Sequence, residues 1–347
     1  MRTDDLRIAK THPLLSPAVL AEEFPLSDRM AACVATQRTS IERILSGEDR
    51  RLLAVVGPCS IHDVDAAREY AARLRPLVDE FADRLLVVMR VYFEKPRTIL
   101  GWKGLINDPD LDNSYRINRG LRLARQLMCD IAELELGAAT EFLDTTLGQF
   151  YADLVCWAAI GARTVESQIH RELASGLSMP VGFKNRTDGN VQVAIEAIIS
   201  AQNRHLFPSL TAHGAPAIFE TTGNPWGHLV LRGGKQSGPN FAAAQIEAAA
   251  GQLAAAGIKT GIMIDCSHGN SEKNPTRQLE VANCIAEQLR AGSREIRAVM
   301  VESHLVAGAQ PIGAASSLVY GQSITDACLG FEDTRRLLAS LAAAVRE

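Results

Sequence analysis

The sequence predicts an α/β protein built as a (β/α)8, or TIM, barrel. Three observations carry this. Eight short, β-branched apolar runs recur along the chain; helical patterns separate them; and a charged or metal-capable side chain follows each run. Strands that are apolar on both sides suit a parallel sheet buried on both faces. In a closed parallel barrel the C-terminal strand ends converge on one face, where such folds place their active sites. A doubly wound open sheet is the structural alternative.

Residues 1–48 are polar and mixed. Pro13, Pro17 and Pro25 mark loops, and a helical pattern near Arg29–Leu45 closes at Gly47. This segment reads as a regulatory or assembly arm outside the barrel, which occupies 49–347. The runs are Leu52–Val56, Leu85–Val91, Leu134–Phe142, Trp157–Ala162, Val181–Phe183, Leu229–Leu231, Gly261–Ile264 and Val299–Val301. Between them, Phe241–Ala256 reads as a helix stopped by Gly257, and Asn274-Pro275 as a cap and first residue of a helix that ends at Gly292. Residues 204–226 break the rhythm. Their Pro and Gly residues around Ala217–Thr222 predict an inserted hairpin, long enough to suggest regulation or assembly.

Composition narrows the function. The chain has 347 residues and a net charge of -4, which disfavours a general nucleic-acid or membrane-surface role. Seven cysteines at irregular spacing fit a reducing compartment better than a disulfide scaffold. The start, Met1 to Asp5, lacks the apolar core of a signal peptide, and no apolar run approaches a membrane span. A soluble cytoplasmic protein is expected.

The strand-end residues, with Asp326 of Ser323-Ile324-Thr325-Asp326 as a further candidate, form two groups. Arg90, Lys95, Arg97, Arg163, Lys184 and Arg232 are cations that would repel one another without anions, so a strongly anionic substrate, or two, is expected. Cys59, His268, Glu302 and Asp326 offer thiolate, imidazole and carboxylates, a mixture that suits manganese, iron, cobalt or zinc better than magnesium or calcium. His62 and His304 are rival ligands. Gly233-Gly234-Lys235 lacks the spacing of a phosphate loop, and no dinucleotide fingerprint or hydrolase elbow is present.

Several blocks together resemble the microbial, feedback-regulated type I 3-deoxy-D-arabino-heptulosonate 7-phosphate (DAHP) synthases. They are Gly57-Pro58-Cys59-Ser60-Ile61-His62-Asp63, Lys95-Pro96-Arg97-Thr98, Gly161-Ala162-Arg163-Thr164, Gly182-Phe183-Lys184-Asn185, Leu231-Arg232-Gly233-Gly234, Asp265-Cys266-Ser267-His268, Val301-Glu302-Ser303-His304 and Ser323-Ile324-Thr325-Asp326. The likeness covers nearly the whole chain. It implies an aldol-like condensation of phosphoenolpyruvate with erythrose 4-phosphate, the first step of the shikimate pathway to the aromatic amino acids.

By this resemblance Ala162, Arg163, Lys184 and Arg232 would bind the phosphoenolpyruvate phosphate, and Arg90 and Lys95 its carboxylate. Pro96, Arg97 and Thr98 would bind erythrose 4-phosphate. Cys59, His268, Glu302 and Asp326 would hold one divalent metal, manganese first among the candidates. Lys95 or a metal-bound water is the candidate proton donor, and Glu141 a candidate for placing the attacking water. Feedback inhibition by an aromatic amino acid, with tryptophan favoured over phenylalanine or tyrosine, would use Asp4, Asp5, Ile8, Gln149, Leu177, Ser178, Phe207, Ser209 and Phe219. A homodimer or homotetramer is implied. Arg186, where glycine is usual, and Cys266, where a bulky aromatic is usual, depart from the pattern; Arg186 is expected to add a cation beside the phosphate site. The rival readings are a 3-deoxy-octulosonate 8-phosphate synthase, against which Lys95-Pro96-Arg97-Thr98 argues, and a catalytically dead amino-acid sensor, which would have lost ligands.

Overall fold

The structure is a computed structural model that describes residues 3–313 and 315–345. Its elements run α1 (Pro17–Glu23), α2 (Asp28–Ser46), β1 (Leu52–Gly57), α3 (Val64–Glu80), β2 (Leu85–Arg90), α4 (Ile117–Glu133), β3 (Gly137–Glu141), β4 (Val155–Ile160), α5 (Gln168–Gly176), β5 (Val181–Lys184), α6 (Gln192–Ala201), β6 (Leu206–Leu210), β7 (Pro216–Glu220), β8 (Gly227–Leu231), α7 (Ala243–Ala255), β9 (Ile262–Asp265), α8 (Arg277–Arg290), β10 (Ile296–Glu302), β11 (Val306–Ala309), β12 (Gln322–Ser323) and α9 (Phe331–Ala342). Eight parallel strands close a barrel in the order β1-β10-β9-β8-β5-β4-β3-β2. Each of the eight apolar runs contributes one of them. The 204–226 interruption is an antiparallel hairpin, β6–β7, outside the barrel.

Strand alternation divides the core in two. Leu53, Val55, Leu86, Val88, Trp157, Val230, Met263 and Met300 pack together inside the barrel. Leu52, Ala54, Val56, Leu85, Val87 and Ile264 pack outward with the helices. Helix α2 joins the inner cluster through Val34, Ile41, Ile44 and Leu45. Gly261 N, just before β9, donates to Leu45 O at 2.9 Å. The second half of the 1–48 segment therefore closes the N-terminal end of the barrel and shares its core.

Three local details differ from the sequence pattern. The apolar run from Leu134 opens with a helix end: Glu135 is left-handed at φ 57°, and Leu136 N donates to Ile131 O, which closes α4 in a Schellman motif before β3 begins at Gly137. No α-helix separates β3 from β4; 3-10 turns at Leu147–Phe150 and Ala152–Leu154 stand there instead. Helix α2 packs over this gap, and its Arg38 donates to Val155 O and Ala152 O at 2.9 and 2.8 Å. Asn274 Oδ1 does accept from Thr276 N at 3.1 Å, but i→i+3 bonds carry the chain through Pro275 and Thr276, and α8 starts at Arg277.

Candidate active site

The loops after the strands surround a cavity of about 390 Å³ at the C-terminal end of the barrel. Arg90, Lys95, Pro96, Arg97, Glu141, Ala162, Arg163, Lys184, Arg232 and His268 line it, as expected from their positions at or soon after strand ends, and Asp326 joins them from a later loop. Cys59 and Glu302 are buried beside it and touch lining residues. Thr98 is exposed and is not among the lining residues.

The cations are graded by depth. Arg90, Lys184 and Arg232 are buried, Lys95 is half-buried, and Arg97 and Arg163 are exposed. The deepest are held by carboxylates and carbonyls. Arg90 Nη2 donates to Glu302 Oε1 and Cys59 O, each at 3.1 Å, and its guanidinium carbon lies 3.5 Å from the Tyr92 ring centre. Lys184 Nζ donates to Asp265 Oδ2 at 2.8 Å. Burial would raise the Asp265 pKa, but Lys184 and then His268 outweigh it and hold that carboxyl well below the usual range. Arg232 differs. Its backbone N donates to Asn185 Oδ1 at 2.8 Å, and burial lowers its pKa. Its buried Nε has no partner among the described residues. A buried donor left open in a cationic cavity is what a bound anion would satisfy.

Beside this cavity, Cys59, Glu302 and Asp326 offer ligand atoms that all lie within 4.8 Å of one another. His268 Nε2 is 3.7 Å from Glu302 Oε1. His268 has φ +56°, a left-handed conformation costly for a non-glycine residue, and Ser267 Oγ at 2.5 Å and Asp265 Oδ2 at 3.1 Å hold its Nδ1. One ring nitrogen is thus fixed, and the other is left near the acids. Cations already sit against the anionic donors, with Lys95 Nζ 3.3 Å from Cys59 Sγ and Lys273 Nζ 3.2 Å from Asp326. Three of the sequence-expected ligands, Cys59, Glu302 and Asp326, come together with donors that suit a divalent transition metal, and His268 stands beside Glu302 outside that cluster. Burial pushes the Cys59 thiol up, so deprotonation there calls for a nearby positive charge.

Lys95 Nζ also donates to Cys59 O at 2.9 Å. Burial works against its ammonium, but Cys59 and other nearby groups keep its pKa above the ordinary lysine value. Glu141 reaches the cavity because residue 161 is glycine: a Cβ there would lie 1.9 Å from Glu141 Oε1. His62 and His304 stack edge to face at 6.3 Å, and neither belongs to the Cys59–Glu302–Asp326 cluster. Arg186 does not join the phosphate end. Asp188 and Glu166 bind its guanidinium, and it is not among the lining residues. Cys266 is fully buried in the outer core.

The cavity also takes in Thr187, Lys235 and Lys273. Lys235 was visible in Arg232-Gly233-Gly234-Lys235. Lys273, five residues past His268, lies beyond the strand-end window and carries no motif of its own.

Gln149, Leu177, Ser178 and Ser209 line a second cavity of about 450 Å³, which also takes in Val34 and Arg38 of α2. An adjoining cavity of about 390 Å³ is lined by Phe207, Ser209 and Leu173. Phe219 pairs with Phe207 across the hairpin, their rings 6.1 Å apart. Asp4, Asp5 and Ile8 are exposed and line neither of these two cavities.

Fold and site define a (β/α)8 enzyme that gathers cations for anionic substrates at the C-terminal end of its strands. Residues 28–339 match the model of the DAHP synthetase I family, and the chain belongs to that family. It is 54% identical over 344 residues to the Trp-sensitive phospho-2-dehydro-3-deoxyheptonate aldolase of Escherichia coli (strain K12), covering 99% of this chain and 98% of that protein. It is 53% identical over 347 residues to a putative phospho-2-dehydro-3-deoxyheptonate aldolase of Schizosaccharomyces pombe (strain 972 / ATCC 24843), covering 99% and 94%. The solved structure of phospho-2-dehydro-3-deoxyheptonate aldolase from Francisella tularensis SCHU S4 superposes with a TM-score of 0.95 at 52% identity, over 97% of this chain and 98% of that one.

Proposed function

We propose that this enzyme condenses phosphoenolpyruvate with erythrose 4-phosphate to DAHP and phosphate, and that tryptophan inhibits it. The observation that carries the reading is the unpartnered, buried Arg232 Nε in a cation-lined cavity beside the Cys59–Glu302–Asp326 donors. Family membership at high identity supports it.

Arg163, Lys184 and Arg232, beside Ala162, hold the phosphoenolpyruvate phosphate, and Arg90 and Lys95 its carboxylate. Pro96, Arg97 and Thr98 bind the erythrose 4-phosphate phosphate; Thr98 reaches it by movement of its exposed loop. Fixing both phosphates turns C3 of the enol toward the aldehyde carbon. A divalent metal held by Cys59, His268, Glu302 and Asp326 would supply Lewis-acid polarisation of the aldehyde oxygen. Lys95 donates a proton to that oxygen as the C–C bond forms. Glu141 places the water that adds to C2, and the resulting hemiketal phosphate breaks its C–O bond to release phosphate.

Tryptophan occupies the cavity lined by Gln149, Leu177, Ser178 and Ser209, with Phe207 and Phe219 beside it. Asp4, Asp5 and Ile8 complete that site when the arm of a second copy in a homodimer or homotetramer reaches it. Manganese is the preferred metal. The free state of all seven cysteines among the described residues supports a cytoplasmic setting; among those residues no helix is long and apolar enough to cross a membrane.

The test is loss of phosphoenolpyruvate absorbance before and after chelation, with manganese restored, using erythrose 4-phosphate or arabinose 5-phosphate as acceptor. Metal-dependent loss with the four-carbon sugar alone is expected. Turnover of the five-carbon sugar would reassign the substrate, and no turnover with either would overturn the reading. Titration with tryptophan, phenylalanine and tyrosine, run alongside light scattering, decides effector and assembly.

A further inference from the structure

A cavity of about 500 Å³ lies at the opposite end of the barrel, where β1 and β10 begin and α2 and α8 end. Arg50, Arg51, Arg294 and Arg297 line it with Ser293, and no carboxylate is among the described residues that line it. Asp49 neutralises Arg51, at 2.7 Å. Arg294 and Arg297 have no side-chain hydrogen bond and no ion pair within 4 Å among the described residues; Glu295 acts on Arg297 only at longer range.

Arg297 is placed there by a backbone irregularity. The β9–β10 register runs Ile262↔Ile296 and then Met263↔Ala298, so Arg297 is the extra residue of a β-bulge. Bulges re-aim side chains. Two glycines clear its path. A Cβ on Gly47 would lie 2.6 Å from Arg297 Nη2, and one on Gly261 would lie 2.0 Å from its Cγ. Burial works against the Arg297 charge, and Arg294 adds repulsion. The C-terminal carbonyls of α2 and α8 offset part of this positive charge. They do not supply the paired acceptors that two guanidinium groups can bind.

We propose that this cavity binds a small oxyanion carrying two or more negative charges, such as a bisphosphate or a polycarboxylate, between Arg294 and Arg297. The site is separated from the catalytic cavity by the length of the barrel strands.

The probe is pyrenetetrasulfonate, a fluorescent tetra-anion, added to metal-loaded enzyme saturated with phosphoenolpyruvate so that the active-site cations are filled. Anisotropy is read in buffer of about 150 mM salt, where long-range attraction is screened. Saturable binding is expected, displaced by inorganic sulfate more effectively than by sodium chloride at equal ionic strength. Arg294→Glu, an exposed position, should weaken the dye at least tenfold and leave turnover unchanged. Arg335→Glu makes the same charge change on the exposed face of α9 and should shift binding less than twofold. Arg297→Gln should weaken the dye about as much as Arg294→Glu. Equal weakening by Arg294→Glu and Arg335→Glu would overturn the site, as would the absence of dye binding once phosphoenolpyruvate is present.

Discussion

The two ends of this barrel use charge in opposite ways. At the C-terminal end the deep cations have acidic partners: Lys184 on Asp265, and Arg90 on Glu302. Those pairs fix the groups at depth, where a lone charge would be expelled or neutralised. Among these deep cations Arg232, which lines the cavity, keeps a buried Nε without a partner among the described residues. At the N-terminal end the interior is closed by apolar side chains of α2, and arginines stand around the rim with no carboxylate among the described lining residues. One end spends its sequence on polar side chains with a single geometry. The apolar plug that α2 makes at the other needs only shape and apolarity. Substitutions at the first should therefore cost activity, and substitutions at the second should cost stability.

The largest effect is expected from Lys95→Met. Loss of a general acid lowers kcat on the order of 10²–10⁴-fold. Steady-state kinetics would check this against an unchanged melting temperature. A near-normal kcat with a raised KM would leave Lys95 as a binding residue only.

Ile41→Ala tests the opposite end. Ile41 is fully buried against the barrel interior, and its truncation should cost about 2–5 kcal/mol. Urea unfolding gives that number, while kcat of the fully folded variant stays at the wild-type value. A parallel fall in kcat would show that the two ends are mechanically coupled.

Glu94 sharpens the contrast within the catalytic end. Burial pushes its pKa from 4.5 up to about 7. The folded state therefore holds a proton that the unfolded chain has already lost between these values. This contribution is complete below pH 4.5, declines as pH rises, and is gone above about 7, a span of roughly 3 kcal/mol. The stability difference between wild type and Glu94→Gln, followed by denaturant unfolding across that range, should move by this amount. A flat difference would remove Glu94 as the titrating group.

The smallest of the four is Arg163→Ala. Arg163 is exposed and lines the cavity, so the phosphate-binding role proposed for it predicts a loss of binding without a loss of stability. Loss of a charged hydrogen bond of about 1.5–3 kcal/mol should lower kcat/KM for phosphoenolpyruvate about 10- to 100-fold. Thermal unfolding without substrate should not change. A melting temperature that fell as well would place Arg163 among the structural pairs.

The candidate site was largely legible because parallel strands impose a simple rule: the residue after each apolar run arrives at one face. Arg90, Lys184 and Arg232 obey it directly, and Glu302, at the end of β10, lies just beside the cavity against Arg90. The rule fails where a side chain comes from farther along a loop. Lys273 returns to the cavity through a turn with left-handed Glu272 and Lys273, and nothing in the residue pattern marks that return. Thr98 fails the other way: it adjoins Arg97 in sequence, yet its loop leaves it in solvent. The same limit applied to Leu134–Leu136, whose apolar side chains serve a Schellman closure and not a strand.

The sequence by itself determined the eight strands, their shared direction and the chemical types at their ends, because period, apolarity and loop order are local properties. It also carried the family resemblance, since blocks of residues in fixed order need no coordinates to be compared. Only the tertiary structure decided that α2 closes the barrel, that Arg186 turns to Asp188 and Glu166 instead of the cavity, and that Arg297 projects from a bulge between two glycines. Each of these depends on which surfaces meet after the barrel closes. Residues distant in sequence then compete for the same space and the same charge, and a linear pattern does not record the outcome.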